Sequence, residues 1–215
     1  MSDSSSSPFY VNTAGRPKFA EANCEFCAAA GAVNLASNLT RIDTGSTSGA
    51  APRFTSTKAA DYAGLFDTVQ MGGDQVKRVA KFVCSHSGRK FVEFGATGAM
   101  PSKSYAESTE FMKNLPDHTV FVIWADGDLE SGDDVSHWLN AIKVNGDIRY
   151  FDFQVNSTFF GGSKNPASCN RPFVGIETAK AARGSRALQS SDPRQQVGMF
   201  QTSTVKMGVL AFPPN

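Results

Sequence analysis

Asn145-Gly146 stands between two runs that read as strands, HWLNAIKV (137–144) and DIRYFDFQ (147–154). Asn-Gly readily adopts the left-handed backbone of a two-residue hairpin turn, so it fixes both that the strands pair and in which register. With these two residues at the tip, Val144 opposes Asp147, Leu139 opposes Asp152 and His137 opposes Gln154. Side chains alternate faces along a strand. His137, Leu139, Asp152 and Gln154 therefore share one face. Trp138, Asn140, Phe151 and Phe153 share the other, which is core-like. Asp152 lies diagonal to His137, about 7–8 Å away at Cα and within side-chain reach. A slip of one residue would turn one strand over and separate the pair.

A carboxylate diagonal to an imidazole is the geometry of an oriented general base. The carboxylate fixes the tautomer and stabilises the imidazolium when it forms. Such a pair needs a nucleophile, and the chain has four cysteines, Cys24, Cys27, Cys84 and Cys169. The first two lie in NCEFCAAAGAVNLASN (23–38), whose Ala and Leu content predicts a helix from about Glu25 to Asn38 with Asn23 as N-cap. Both cysteines then fall in the first turn. Unpaired N–H groups and the helix dipole favour a thiolate there and can hold an oxyanion. Cysteine on a helix, His on a strand and Asp on the next strand make a coherent amide-hydrolysing set.

The same cysteines admit blander readings. Free Cys is most often a small, inert core residue. A zinc site would need two more ligands from Cys84, Cys169, His86 and His118, none of which has paired spacing. A redox couple would want a strand directly before the two cysteines, and RPKFAEA does not read as one. The sequence thus points to no metal and no cofactor.

Further helices are expected over Thr57–Val69, Asp74–Ser85 and Ser104–Asn114, with a helical patch at Ile176–Ala182. Strands are expected at Phe91–Phe94, in TVFVIWA (119–125) and in TVKMGVLAF (204–212). Helices first and antiparallel strands later predict an α+β fold. Residues 1–20 read as a flexible lead-in and 21–215 as a single domain. Seventeen Phe suggest a core built largely from that residue. The segment 126–134 holds five acids and no base, and it reads as a solvated loop that favours basic partners. Its spacing is wrong for an EF-hand. Net charge is +1 with no basic run, which argues against nucleic-acid binding through phosphates. No stretch approaches the roughly 18–20 apolar residues of a membrane helix. The polar N-terminus lacks the apolar core of a cleaved secretory signal, so synthesis in the cytoplasm is expected.

Asn23-Cys24-Glu25-Phe26-Cys27-Ala28-Ala29-Ala30, followed by His137, Asn145-Gly146 and Asp152-Phe153-Gln154, resembles the papain-like fold. More narrowly, it is similar to the papain-fold toxin domains of bacterial polymorphic toxins and secretion-system effectors. The match covers about residues 20–156, with Phe153 where that family usually has Pro. Residues 157–215 lie outside it as a C-terminal extension of unknown role. The resemblance implies a papain-like cysteine hydrolase, a protease or a protein-glutamine deamidase, with a Cys-His-Asp triad on N-terminal helices packed against an antiparallel sheet. It places the nucleophile at the second cysteine, Cys27, with Cys24 as the alternative, and it makes His137 and Asp152 the other two members. Asn23 or the Cys27 backbone N–H would hold the oxyanion. Gln154 would orient substrate, support His137 or simply satisfy a neighbour. The resemblance further implies a target protein as substrate, export by a specialised secretion system into a target cell, and a cognate immunity protein.

Overall fold

The computed structural model describes residues 24–38, 59, 75–98, 100–154, 170–175 and 197–215. Within these, α1 spans Cys24–Ser37, α2 Gln75–Ser87 and α3 Tyr105–Lys113. The strands are β1 (Val92–Phe94), β2 (Lys103–Ser104), β3 (Val120–Asp128), β4 (Asp134–Val144), β5 (Asp147–Phe151), β6 (Phe173–Gly175), β7 (Val197–Met199) and β8 (Lys206–Phe212). The fold is α+β, as the element order predicts. The helices expected at Thr57–Val69 and Ile176–Ala182 lie outside the described residues, apart from Ala59, which is helical and buried.

One antiparallel sheet organises the molecule, in the order β1-β8-β3-β4-β5, with β2 also pairing β8. β6 and β7 form a separate two-stranded ribbon. β8 comes last in the chain yet lies between β1 and β3, with register Val122↔Leu210 and Ile123↔Val209. The final strand is thus built into the middle of the sheet. The segment that the family resemblance leaves out therefore supplies a strand of the main sheet. Its continuous apolar run, Met207–Phe212, suits a strand buried on both faces.

Two cores follow from strand alternation. Val120, Val122 and Trp124 of β3, Trp138 and Ile142 of β4, and Leu210 and Phe212 of β8 pack against α1 and α2. The residues between them, including Phe121, Ile123, Leu139 and Val209, pack on the other face with Tyr150, Phe173 and Phe200. α1 is buried along Glu25–Leu35, as its Ala-rich, nearly unstriped sequence requires. α2 is amphipathic: Val79, Ala80, Phe82 and Val83 face the core, and Lys77 and Lys81 face solvent. α3 starts at a capping box in which Ser104 and Glu107 bond each other's backbone N–H groups.

The acidic segment is shorter as a loop than expected. β3 continues to Asp128 and β4 begins at Asp134, with these two residues paired. Only residues 129–133 form the turn, and Leu129 within it is buried. A bridge from Leu129 to Phe200 explains this, because it gives the turn a core of its own.

Candidate active site

The hairpin forms in the register that Asn145-Gly146 demands. Val144 pairs with Asp147 and Asn140 with Phe151. Asn145 (φ 52°) and Gly146 (φ 83°) both take the left-handed backbone of the two-residue turn. The Gly146 N–H donates to Asp117 Oδ1 at 3.1 Å, which anchors the tip.

Pairing between β4 and β5 then stops earlier than the sequence pattern suggests. Asp152 Oδ1 accepts a hydrogen bond from the Gln154 N–H at 3.0 Å. This local bond replaces the next rung of the ladder, as Asp side chains tend to do. The chain leaves the strand at Phe151, and Asp152 Oδ2 meets His137 Nε2 at 3.0 Å. Both acceptor oxygens of the carboxylate are therefore engaged, one setting its orientation and the other holding the imidazole. His137 is 1% exposed and Asp152 7%. The diagonal pairing deduced from the turn is present as a direct contact.

Burial is the largest single influence on the His137 ring and favours its neutral form. The charge and hydrogen bond of Asp152 oppose it, followed by the hydrogen bond and charge of Cys24. Together these outweigh burial and raise the pKa from 6.5 to about 10. The ring is an imidazolium at neutral pH. Its other nitrogen, Nδ1, has no partner at full hydrogen-bonding geometry, so the approach of the Cys24 thiol is looser than a formed bond. That is common for a nucleophile and base without substrate.

The thiol acting on His137 thus belongs to Cys24, whereas the family motif favours Cys27. The reason lies in where α1 starts. Cys24 is its first residue and is half-buried. Cys27 follows three residues on, roughly 4.5 Å further along the axis. It is 1% exposed among Phe26, Ala28 and Ala30 in the helix–sheet core.

Two further contacts hold α1 where it is. Asn140 of β4 donates from Nδ2 to the Ala28 carbonyl at 2.9 Å and to the Phe121 carbonyl at 3.3 Å. Gly31 lets the helix lie against the sheet at this level, since a Cβ there would come within 2.8 Å of both Asn140 Oδ1 and Phe153 Cε2. At the helix start, Glu25 makes a two-point ion pair with Arg78 of α2, at 2.9 Å (Nε to Oε1) and 3.1 Å. Burial raises the Glu25 pKa, with Arg78 pulling the other way. Sequence reasoning passed over Glu25 and Arg78, since a contact across 53 positions leaves no local spacing to find. It set Asn140 among core residues without its role, and a polar residue in an otherwise apolar row was the available signal.

The remaining candidates fall as follows. Asn23 and Cys169 lie outside the described residues. Gln154 is buried, and its backbone orients Asp152. Cys84 lies on α2, with its pKa raised by burial. The His86 ring nitrogen Nδ1 bonds the Phe82 carbonyl at 2.8 Å within the same helix. His118 takes a left-handed backbone before β3 and its N–H donates to the Lys143 carbonyl. Among the described residues, no group of three or more His, Cys, Asp and Glu is placed to hold a metal ion, and no helix is long and apolar enough to cross a membrane. In comparisons with protein-family models, curated proteins and solved structures, nothing matches this chain.

Proposed function

We propose that this chain is a papain-like cysteine hydrolase that attacks amides of a target protein, with Cys24 as nucleophile, His137 as proton shuttle and Asp152 as the group that orients His137. The observation that carries this reading is the grouping itself. A thiol at the first residue of a helix acts on a buried imidazolium, which a carboxylate holds at 3.0 Å. The Cys24 sulfur attacks the carbonyl carbon as the thiolate, with its proton already carried by His137. The tetrahedral oxyanion is held by backbone N–H groups at the start of α1, with Asn23 or Gln154 as further support. His137 gives its proton to the departing nitrogen as the C–N bond breaks, leaving a thioester. Water, deprotonated by His137, then adds to the thioester carbonyl, and the C–S bond breaks to release the acid and restore the thiolate beside the imidazolium.

Whether the departing nitrogen is a chain amine or ammonia sets protease apart from glutamine deamidase, and both share these steps. The toxin or effector setting, delivery by a secretion system and a cognate immunity protein that plugs the cleft all follow from the family resemblance. The test is to expose a proteome to the wild type and to Cys24→Ala, Cys27→Ala and His137→Ala, and to read peptides by mass spectrometry. New N-termini indicate a peptidase, and glutamine converted to glutamate indicates a deamidase. Either product should vanish in Cys24→Ala and His137→Ala and persist in Cys27→Ala. Products that survive Cys24→Ala and His137→Ala would end this reading of the site, and a wild type that yields no products would favour a binding module on the same scaffold.

A further inference from the structure

A cavity of about 840 Å³ opens between α3 and β5, and none of its lining residues belongs to the Cys24–His137–Asp152 group. Its size falls in the range of small-molecule sites and far exceeds what a bare inorganic ion fills. Tyr150 lines it and is 1% exposed, and its hydroxyl meets no partner at full hydrogen-bonding geometry. The buried Thr109 Oγ1, also in the lining, approaches it, but more loosely than a formed bond. An acceptor atom on a ligand would satisfy these hydroxyls better than their loose mutual approach does. Burial, then the neighbouring Tyr105, raises the Tyr150 pKa, so its phenol stays neutral and donates.

The lining is cationic. Lys113, Arg149 and Arg171 face one carboxylate, Asp147. Arg171 is engaged by Glu130 at 2.9 Å. Arg149 is half-buried and meets no ion-pair partner among the described residues. A guanidinium presents its donors in a fork that matches a carboxylate or phosphate. Tyr105, Ile148 and Met199 give the same cavity an apolar side.

We infer that this cavity binds a small organic anion, a phosphate or carboxylate on an aromatic or apolar body, with its oxygens on Arg149, Tyr150 and Thr109. The inference does not depend on the hydrolase reading. Calorimetric titration of the full chain tests it, with phenyl phosphate and phenylacetate as probes and benzyl alcohol as the neutral control. One acid at least should saturate a single site, and which one does so assigns the head group. Benzyl alcohol should not bind. Losing a charge-assisted hydrogen bond should weaken binding roughly tenfold in Arg149→Gln. Tyr150→Phe should weaken binding while costing the free protein little stability, because the approach to Thr109 that it removes falls short of a formed bond. Cys24→Ser should bind as the wild type does. The inference fails if neither acid saturates, if Arg149→Gln binds undiminished, if benzyl alcohol binds equally, or if Cys24→Ser abolishes binding.

Discussion

His137 Nε2 and Asp152 Oδ2 lie 3.0 Å apart, in a contact that joins β4 to the residue just past β5. Both side chains are almost fully out of water. The folded-state pKa of His137, about 10, exceeds its unfolded value near 6.5. Folding therefore favours the protonated ring. The stability it contributes is complete below pH ~6.5 and is lost as pH rises towards 10. Urea midpoints of the wild type should fall across that window. Asp152→Asn removes the charge that opposes burial, so the fall over the same window should largely disappear. Breaking the buried pair should also cost about 3–5 kcal/mol at neutral pH. Equal pH slopes in both proteins would show that Asp152 does not hold His137 charged.

The thiols should differ in reactivity in a way that separates the two candidate nucleophiles. Cys24 is half-buried at the head of α1 beside the His137 imidazolium, whereas Cys27 is 1% exposed. Iodoacetamide at neutral pH, followed by peptide mapping, should label Cys24 first. Cys84, whose thiol is pushed up by burial, should follow, and Cys27 should label only on unfolding. His137→Ala should slow the labelling of Cys24 and leave that of Cys84 unchanged. Preferential labelling of Cys27 in the native protein would return the nucleophile to that position.

The contrast between His137–Asp152 and Cys24–Cys27 shows what this sequence makes legible. Asn145-Gly146 fixes the turn type, the turn fixes the register, and a period of two then assigns every side chain to a face. The helix was legible too: Asn23 as N-cap puts both cysteines in the first turn, in keeping with α1 at Cys24–Ser37. Which thiol approaches His137 was not, because that contact spans more than a hundred positions and no local pattern encodes it; the preference for Cys27 came from the family motif alone. The placement of β8 was illegible for the same reason. Its apolar run declares a strand, but pairing with β3 is a contact across some eighty positions that no local pattern encodes. The early end of β5 had a signal in Asp152 itself, whose side chain competes for the Gln154 N–H.

Gly31 should tolerate no side chain. A Cβ there would press on Asn140 Oδ1 and on the ring of Phe153, which is buried next to Asp152 in the chain. Overpacking of this kind costs typically about 1–3 kcal/mol. Gly31→Ala should lower the thermal midpoint, and because Phe153 is the part that must give way, it should also slow Cys24 alkylation. A variant with unchanged midpoint and unchanged alkylation would mean that the helix moves off the sheet at no cost and that the close approach does not position the site.

Glu25 and Arg78 offer a test of what keeps the head of α1 in place. The carboxylate is 6% exposed and adjoins Cys24 in sequence, and both its oxygens are bound by the guanidinium. Arg78→Met strands a buried charge and should cost about 3–5 kcal/mol. Glu25→Leu combined with Arg78→Met removes both charges and should recover most of that loss, since a buried pair seldom outperforms apolar packing of similar volume. The pH response gives an independent check. Burial raises the folded pKa of Glu25, so the folded state holds its proton more readily than the unfolded chain does. Its contribution to stability therefore declines as pH rises through the carboxylate range, and without Arg78 the decline should steepen. Lowering the pH to about 5 should thus rescue Arg78→Met in part while leaving the double variant unmoved. If the double variant is as unstable as the single one, the pair supplies net stability and its loss cannot be assigned to a stranded charge. If both are stable but Cys24 alkylation slows in each, the pair serves to position the thiol.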